Sequence, residues 1–403
     1  MKRRDMLKYA VAALVVGGVA AGAIVDEAAA QDTIKIGASA PKTGPLAGGA
    51  AVTHWPALQL WVHNVNEKGG IKVGDKQMKV ELIEYDDRTS GEEAVKNMQR
   101  MATVDEVDFV VAPYGTGLNL AVAPLFAKYG YPQIAVTAIS DKVDESAERW
   151  PNSFWTLGTS TAFAESVADV LAKLRDRGDI GNKVAVVNVA DAFGIELANA
   201  GKPALEKAGF EIVYDSSYPL GTQDLAPVIS EAKNAGPDAF VAFSYPPDTF
   251  GLTDQAKIAG LDVGAFYVGV ATAFPAYGGK FGASAEGVLG AGGVNSDTDE
   301  MRAWYAQHKE VTGQGADYWA SPVMYSSLQV LEQAIERAGT LDREKVIAEL
   351  TDGSFDTIMG GMTFDGNVNR HFWTVGQWQD GVFNGVADTG TEGAKEPVAK
   401  KGW

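Results

Sequence analysis

Residues that could do covalent or metal chemistry are scarce. The four histidines, His54, His63, His308 and His371, share no spacing at which imidazoles converge on a metal, and cysteine is absent. Disulfides, thiolate metal sites, a cysteine nucleophile and a lipid-modified cysteine are excluded together. No Gly-x-Ser-x-Gly turn and no His-Glu-x-x-His helix occurs. Asp86-Asp87 has the form of a paired-carboxylate site. Residues 365–369, DGNVN, begin like a calcium loop; Arg370 stands where glycine is required and Gly376 where the closing glutamate belongs, which favours a hairpin across residues 360–381. No metal and no cofactor is expected. One stretch remains: VVAPYGTGLNLAVAPLFAKYG, residues 110–130, a buried strand that turns at Gly115-Thr116-Gly117 into a helix. It lacks the Gly-Lys-Ser/Thr ending of a phosphate loop, and Leu120 occupies the third glycine of a dinucleotide fingerprint. Free amides at such a helix start suit a carboxylate or another oxyanion without a full positive charge. A plain strand-to-helix turn is the alternative.

The elements that would position this turn are legible from periodicity. Apolar strands alternate with amphipathic helices, TIKIGASAP to QIAVTA over residues 33–138, and the series restarts with KVAVVNVAD at 183 and runs to AFYVGV at 270. That pattern predicts an α/β chain with two similar lobes, each a doubly wound, Rossmann-like parallel sheet. At 403 residues, two domains are the default. Ligands collect at the carboxyl ends of strands in such sheets. Here those ends are rich in Gly, Ser, Thr and Pro: residues 40–49, 85–91, 112–119, 136–141, 189–194, 244–248 and 269–274. The late helical segments and the tail have no partner readable from sequence, and the tail reads as a loose surface strap. The net charge of -18 leaves no cationic excess to neutralise phosphates, so nucleic acid is not an expected partner.

Residues 1–30 carry the charged, apolar and small-residue regions of an export signal, with a cut after Ala30. Arg3-Arg4 fits a twin-arginine signal; an ordinary secretory signal or a retained anchor are the alternatives. A soluble, acidic, periplasmic protein is expected.

The succession IKIGASAPKTGPLAG, NEKGGI, ELIEYDD, VAPYGTGLNLAVAPLFAKYGYPQIA, FWTLGTSTAFAESVADVL, KVAVVNVADAFG, DAFVAFSYPPDTFGLTDQAKIAGL and AEGVLGAGG resembles the periplasmic solute-binding proteins of ABC importers, of the branched-chain amino acid type. The resemblance runs through residues 31–390. It implies a type I periplasmic binding fold, with one lobe from 31–152 and 289–374, the other from 153–288 and 375–403, ligand clamped between them, and the closed form docking on membrane permease subunits. It implies a ligand carboxylate gripped at Thr116, with the amides of Gly115 and Gly117, and by the loop at Thr137, Ala138 and Ile139, where Ile139 replaces the family's second hydroxyl and Thr137 or Ser140 could compensate. It also exposes departures. Ala271 stands where amino-acid-binding members place an acid for the ammonium, and Phe193 where they place a tyrosine. Gly48-Gly49 replaces a tryptophan, which would open the cleft mouth. Tyr114, His54, Trp55, Tyr245 and Phe274 could supply aromatic walls. Burying an ammonium without a counter-charge is costly, so the expected ligand is a small organic acid with an apolar or aromatic body. Asp191 or Asp248 could restore amino-acid binding, or could simply cap a turn or helix. The protein is expected to act as a monomer and not as an enzyme; a ligand sensor for a receptor kinase and, more remotely, a hydrolase are the rival readings.

Overall fold

A computed structural model describes residues 33–296, 298–390 and 393–403; the export signal read at 1–30 lies outside them. In chain order the first elements are β1 (Thr33–Ala40), α1 (Ala47–Glu67), β2 (Ile71–Val73), β3 (Lys76–Asp86), α2 (Gly91–Thr103), β4 (Phe109–Val111), α3 (Thr116–Tyr129), β5 (Gln133–Ala135), α4 (Val143–Arg149) and β6 (Ser153–Trp155). Next come α5 (Ser160–Asp176), β7 (Lys183–Val189), α6 (Ala192–Lys207), β8 (Glu211–Tyr218), α7 (Ala226–Asn234), β9 (Ala239–Phe243), α8 (Pro246–Ala259), β10 (Ala265–Val268), α9 (Pro275–Phe281) and β11 (Leu289–Ala291). The last are α10 (Asp299–Thr312), α11 (Ala320–Ala338), α12 (Arg343–Asp352), β12 (Ser354–Thr357), β13 (Gly360–Thr363), β14 (Trp373–Gln379) and β15 (Val382–Asp388).

Two main sheets result. The first has the order β2-β3-β1-β4, and the second β15-β14-β11-β10-β9-β7-β8. Their centres are parallel, as the alternation of strands and helices implies: β1 pairs parallel with β3 and β4, and β8, β7, β9, β10 and β11 run parallel in turn. The edges are not. β2 pairs antiparallel with β3, and β14 and β15 join the second sheet antiparallel, so both sheets are mixed. The run read as one hairpin at 360–381 is divided: β13 pairs with β12, whereas β14 pairs with β15. Strands β7 and β9 are apolar almost end to end because helices cover both faces.

The late helices return to the first half, with α1 packed on both α10 and α11. Trp61 of α1 donates its indole N–H to Glu332 of α11 at 2.8 Å. The tail is fastened, contrary to expectation. Val398 N–H donates to Gln377 Oε1 at 2.8 Å, Lys400 N–H to the Gly264 carbonyl at 2.8 Å, and Trp403 sits edge-on to Phe266 at 5.0 Å. Those bonds remove the freedom that a polar, glycine-containing tail otherwise keeps. By contacts, Thr33–Trp403 forms a single unit, so the halves built on the two sheets are pressed together.

Candidate ligand-binding cleft

Strand β4 delivers the chain to Tyr114 and Gly115. Gly115 takes φ of 95°, a left-handed conformation natural to glycine, and so starts α3 directly. Asn119 N–H makes the first helical bond, to the Gly115 carbonyl at 3.1 Å, and no side chain caps the helix. The amides of Thr116, Gly117 and Leu118 therefore precede the hydrogen-bond ladder without a side-chain acceptor. Thr116 itself is engaged. Its hydroxyl donates to the Ile139 carbonyl and accepts the Ile139 N–H, both at 3.1 Å, and the Gly115 amide donates to Thr137 Oγ1 at 3.2 Å. The Thr116 hydroxyl and the Gly115 amide, expected to grip the ligand, thus tie the two loops to each other. Thr137 keeps its own hydroxyl proton for another acceptor.

A small cavity of about 20 Å³, room for one water, is lined by Tyr114, Thr137, Ile139, Leu157, Phe193, Tyr245, Val270, Trp319 and Ala320. It draws walls from both halves. Phe193 and Tyr245 stack with centroids 4.8 Å apart. Four of the residues singled out from sequence line it: Tyr114, Thr137, Phe193 and Tyr245. Ile139 and Val270 fall in the loops at 136–141 and 269–274 that the sequence singles out, whereas Leu157, Trp319 and Ala320 were missed; Trp319 comes from the α10–α11 connection, whose packing periodicity cannot reveal. A larger cavity, about 480 Å³, adjoins this one through Leu157 and lies among Asn295, Met301, Met359, Asn369 and Phe372; it contains none of the named site residues.

The remaining named residues sit elsewhere. Ala138 belongs to a small core with Ala135, Trp155 and Val368. Ser140 is buried, its hydroxyl accepting the Lys142 amide at 3.1 Å. Phe274 is buried ahead of α9. Trp55 donates to the Pro41 carbonyl at 3.3 Å with the Lys42 ammonium 4.5 Å from its ring. His54 is wholly buried with neither ring nitrogen partnered, and burial pushes it down to about 3, so it is neutral. The Gly48-Gly49 expectation is corrected in part. Gly48 faces open space, but a methyl at Gly49 would stand 2.3 Å from the Tyr114 hydroxyl and 3.1 Å from Pro246. The Tyr114 hydroxyl fills the room beside Gly49. Ala271 has φ of 83°, an uncommon conformation for a residue with a Cβ; it follows Val270 at the cavity and carries no charge.

Aspartates do lie nearby, in other employment. Asp191 caps α6, accepting the Gly194 amide at 2.9 Å, and bonds the Tyr245 hydroxyl. Asp248 accepts from the Tyr245 amide and the Tyr218 hydroxyl, each at 3.3 Å. Asp317 accepts from the amides of Ala320 and Ser321 at 2.9 and 2.6 Å, capping α11. Burial raises all three carboxyls, Asp248 to about 6. Helix α8 moreover opens on Pro246-Pro247, which have no N–H to offer. Among the helix starts at this cavity, α6 and α11 are closed by aspartate and α8 by Asp248 with two prolines, while α3 has no side-chain cap. Asp86 takes four hydrogen bonds, from the Lys42, Thr43 and Arg88 amides and the Thr43 hydroxyl. Although burial opposes it, those bonds lower its carboxyl. Asp87, fully buried, is pushed up to about 7. The pair thus fastens the first loop, and neither residue lines the cavity.

Residues 33–382 match the family model described as periplasmic binding protein. The chain belongs to that family. A Brucella melitensis relative, Leu/Ile/Val-binding protein homolog 3, is 29% identical over 365 residues, covering 89% of this chain and 95% of the relative. Among solved structures, the branched-chain amino acid binding protein LivJ of Streptococcus pneumoniae in complex with isoleucine superposes with a TM-score of 0.75 at 20% identity, covering 89% of this chain and 99% of that one. An ABC transporter solute-binding protein of R. palustris in complex with benzoate gives 0.75 at 16% identity, covering 91% and 99%. Similarity at that level shows the fold, a type I periplasmic binding protein, and the relatives are binding proteins of transporters. Among the described residues, no helix is long and apolar enough to cross a membrane.

Proposed function

We propose that this chain is the periplasmic solute-binding component of an ABC importer, docking on permease subunits, and that its ligand is a small organic acid with an apolar or aromatic body. The observation that carries the reading is the contrast between helix starts at the cavity: α3 has no side-chain cap, while carboxylates cap its neighbours. An anion placed at α3 gains the amides of Thr116, Gly117 and Leu118, the helix dipole and the Thr137 hydroxyl. The facing walls, Phe193, Tyr245 and Val270, suit an uncharged body. Because the cavity is closed down to the size of a water, uptake requires the halves to part. We place the crossings between them, and with them the lobe boundaries, near Thr156, Gly292 and Phe372, a reading supported by the order in which strands enter and leave the second sheet. Strand β11 then belongs with the second lobe, not the first.

An α-amino acid ligand is the second reading, and one observation favours it: Asp248 Oδ1 is buried without a partner. Asp248 is not among the residues lining the cavity, however. A thermal-shift panel of benzoate-type acids, aliphatic keto and short-chain acids, and leucine separates the two. The proposal expects stabilisation by an aromatic acid; stabilisation by leucine alone would refute it.

A further inference from the structure

Trp319 lines the cleft cavity, is almost fully buried, and its indole Nε1–H has no hydrogen-bond partner. That is unusual for this chain. Trp55, Trp61, Trp155, Trp378 and Trp403 each donate the indole proton to a protein oxygen. Trp304 shares the lack of a partner, but it lies inside α10 among the rings of Tyr305, His308 and Tyr325, away from the cavity. A buried indole N–H normally finds an acceptor, and leaving one unmet is costly.

The ring is held in place on several sides. Gly292, at φ of 82°, lies against its face so closely that a methyl there would be 2.0 Å from Cγ. Phe163 packs at 5.8 Å, and the preceding Tyr318 amide bonds the Ala273 carbonyl of the second half at 3.0 Å. The nearest carboxylate in sequence, Asp317, has both oxygens occupied by the Ala320 and Ser321 amides. An indole N–H is a donor only, so what it lacks is an oxygen or another acceptor; an ammonium there would face a like dipole.

We propose that Trp319 donates its indole N–H to a second oxygen of the bound ligand, so that the preferred acids carry a ring hydroxyl or keto oxygen besides the carboxylate. This rests on the acid-binding reading above and narrows its substrate class. Trp319 is then a specificity-determining residue of the cleft.

The test is calorimetry of the full mature chain with benzoate, 3-hydroxybenzoate and 4-hydroxybenzoate, for the wild type and Trp319→Phe. One of the hydroxy acids should bind about tenfold more tightly than benzoate to the wild type, the worth of one buried hydrogen bond. Trp319→Phe should erase that preference, bringing the hydroxy acids to the affinity the variant shows for benzoate, whatever the loss of ring packing does to all three alike. A second reading needs no variant beyond assignment: in ¹⁵N-labelled wild type, the Trp319 indole resonance should move downfield with the preferred hydroxy acid and not with benzoate. If the acids bind with the same ratio in both proteins and the resonance stays put, the role of Trp319 is overturned while the acid site survives. If none of the three binds, the acid-binding reading has failed and this inference falls with it.

Discussion

Thr116 and His54 show how far a side chain's chemistry is decided by what reaches it first. A threonine at a strand-to-helix turn suggests a ligand contact, yet both hydrogen-bonding functions of Thr116 close on Ile139; its contribution is to hold the Thr137 loop beside the uncapped amides. His54 has the opposite fate: nothing reaches it. With both nitrogens unpartnered and its titration pushed down to about 3, it folds only as the neutral imidazole. The unfolded chain binds a proton near pH 6.5 that the native chain refuses, so stability contributed by neutral His54 is complete above that value and is lost as pH falls toward 3. His54→Leu removes this term. Chemical denaturation should show the wild type losing about 3 kcal/mol relative to the variant between pH 7 and pH 4; parallel curves would show that the imidazole is solvated or partnered after all.

At the scale of elements, the site depends on how α1, α3 and the α10–α11 connection meet. Gly48 and Gly49 are adjacent in the first turn of α1 but differ in what lies opposite. Gly48→Ala places its methyl in open space and gains helix propensity, so it should be neutral or stabilising by about 0.5 kcal/mol. Gly49→Ala drives a methyl against the buried Tyr114 ring and Pro246, and should cost about 1–3 kcal/mol. Equal effects in thermal melts would mean that Tyr114 is not seated there. Much of this scale was readable in advance. Gly115 at positive φ, the Asp191 cap and the apolar strands β7 and β9 follow from local sequence. What was not readable came from packing between segments far apart in the chain. Trp319 reaches the cleft because α11 folds back onto α1, with Ser321 Oγ donating to the Val52 carbonyl at 3.3 Å, and neither periodicity nor turn chemistry records a partner so distant in the chain. The antiparallel edge of the second sheet escaped for a related reason: residues 360–381 read as one hairpin, whereas β13 turns back on β12 and β14 joins β11 and β15.

The whole molecule stands with its halves closed, and contacts outside the cavity help to hold them so. Glu196 of α6 accepts the Asp141 amide at 3.0 Å, and Asp141 in turn accepts from the Thr161 amide and hydroxyl at 2.8 and 2.9 Å. Across the cavity, Tyr245 approaches Gly115 and Pro246 approaches Gly49. Tyr245, stacked on Phe193, thus stands against the turn at Gly115, and under the proposed reading hinge motion makes capture depend on both halves. Of the helix starts at the cavity, α6, α8 and α11 are capped by buried carboxylates and α3 has no side-chain cap, which is the contrast on which the proposed selectivity rests. The most direct measurement is a crystal structure of the mature chain with benzoate bound. The ligand carboxylate should lie within hydrogen-bond distance of the amides at residues 116–118 and of the Thr137 hydroxyl, with its ring between Phe193, Tyr245 and Trp319. A ligand whose amine is paired with Asp191, Asp248 or Asp317, or a carboxylate seated away from α3, would contradict the account.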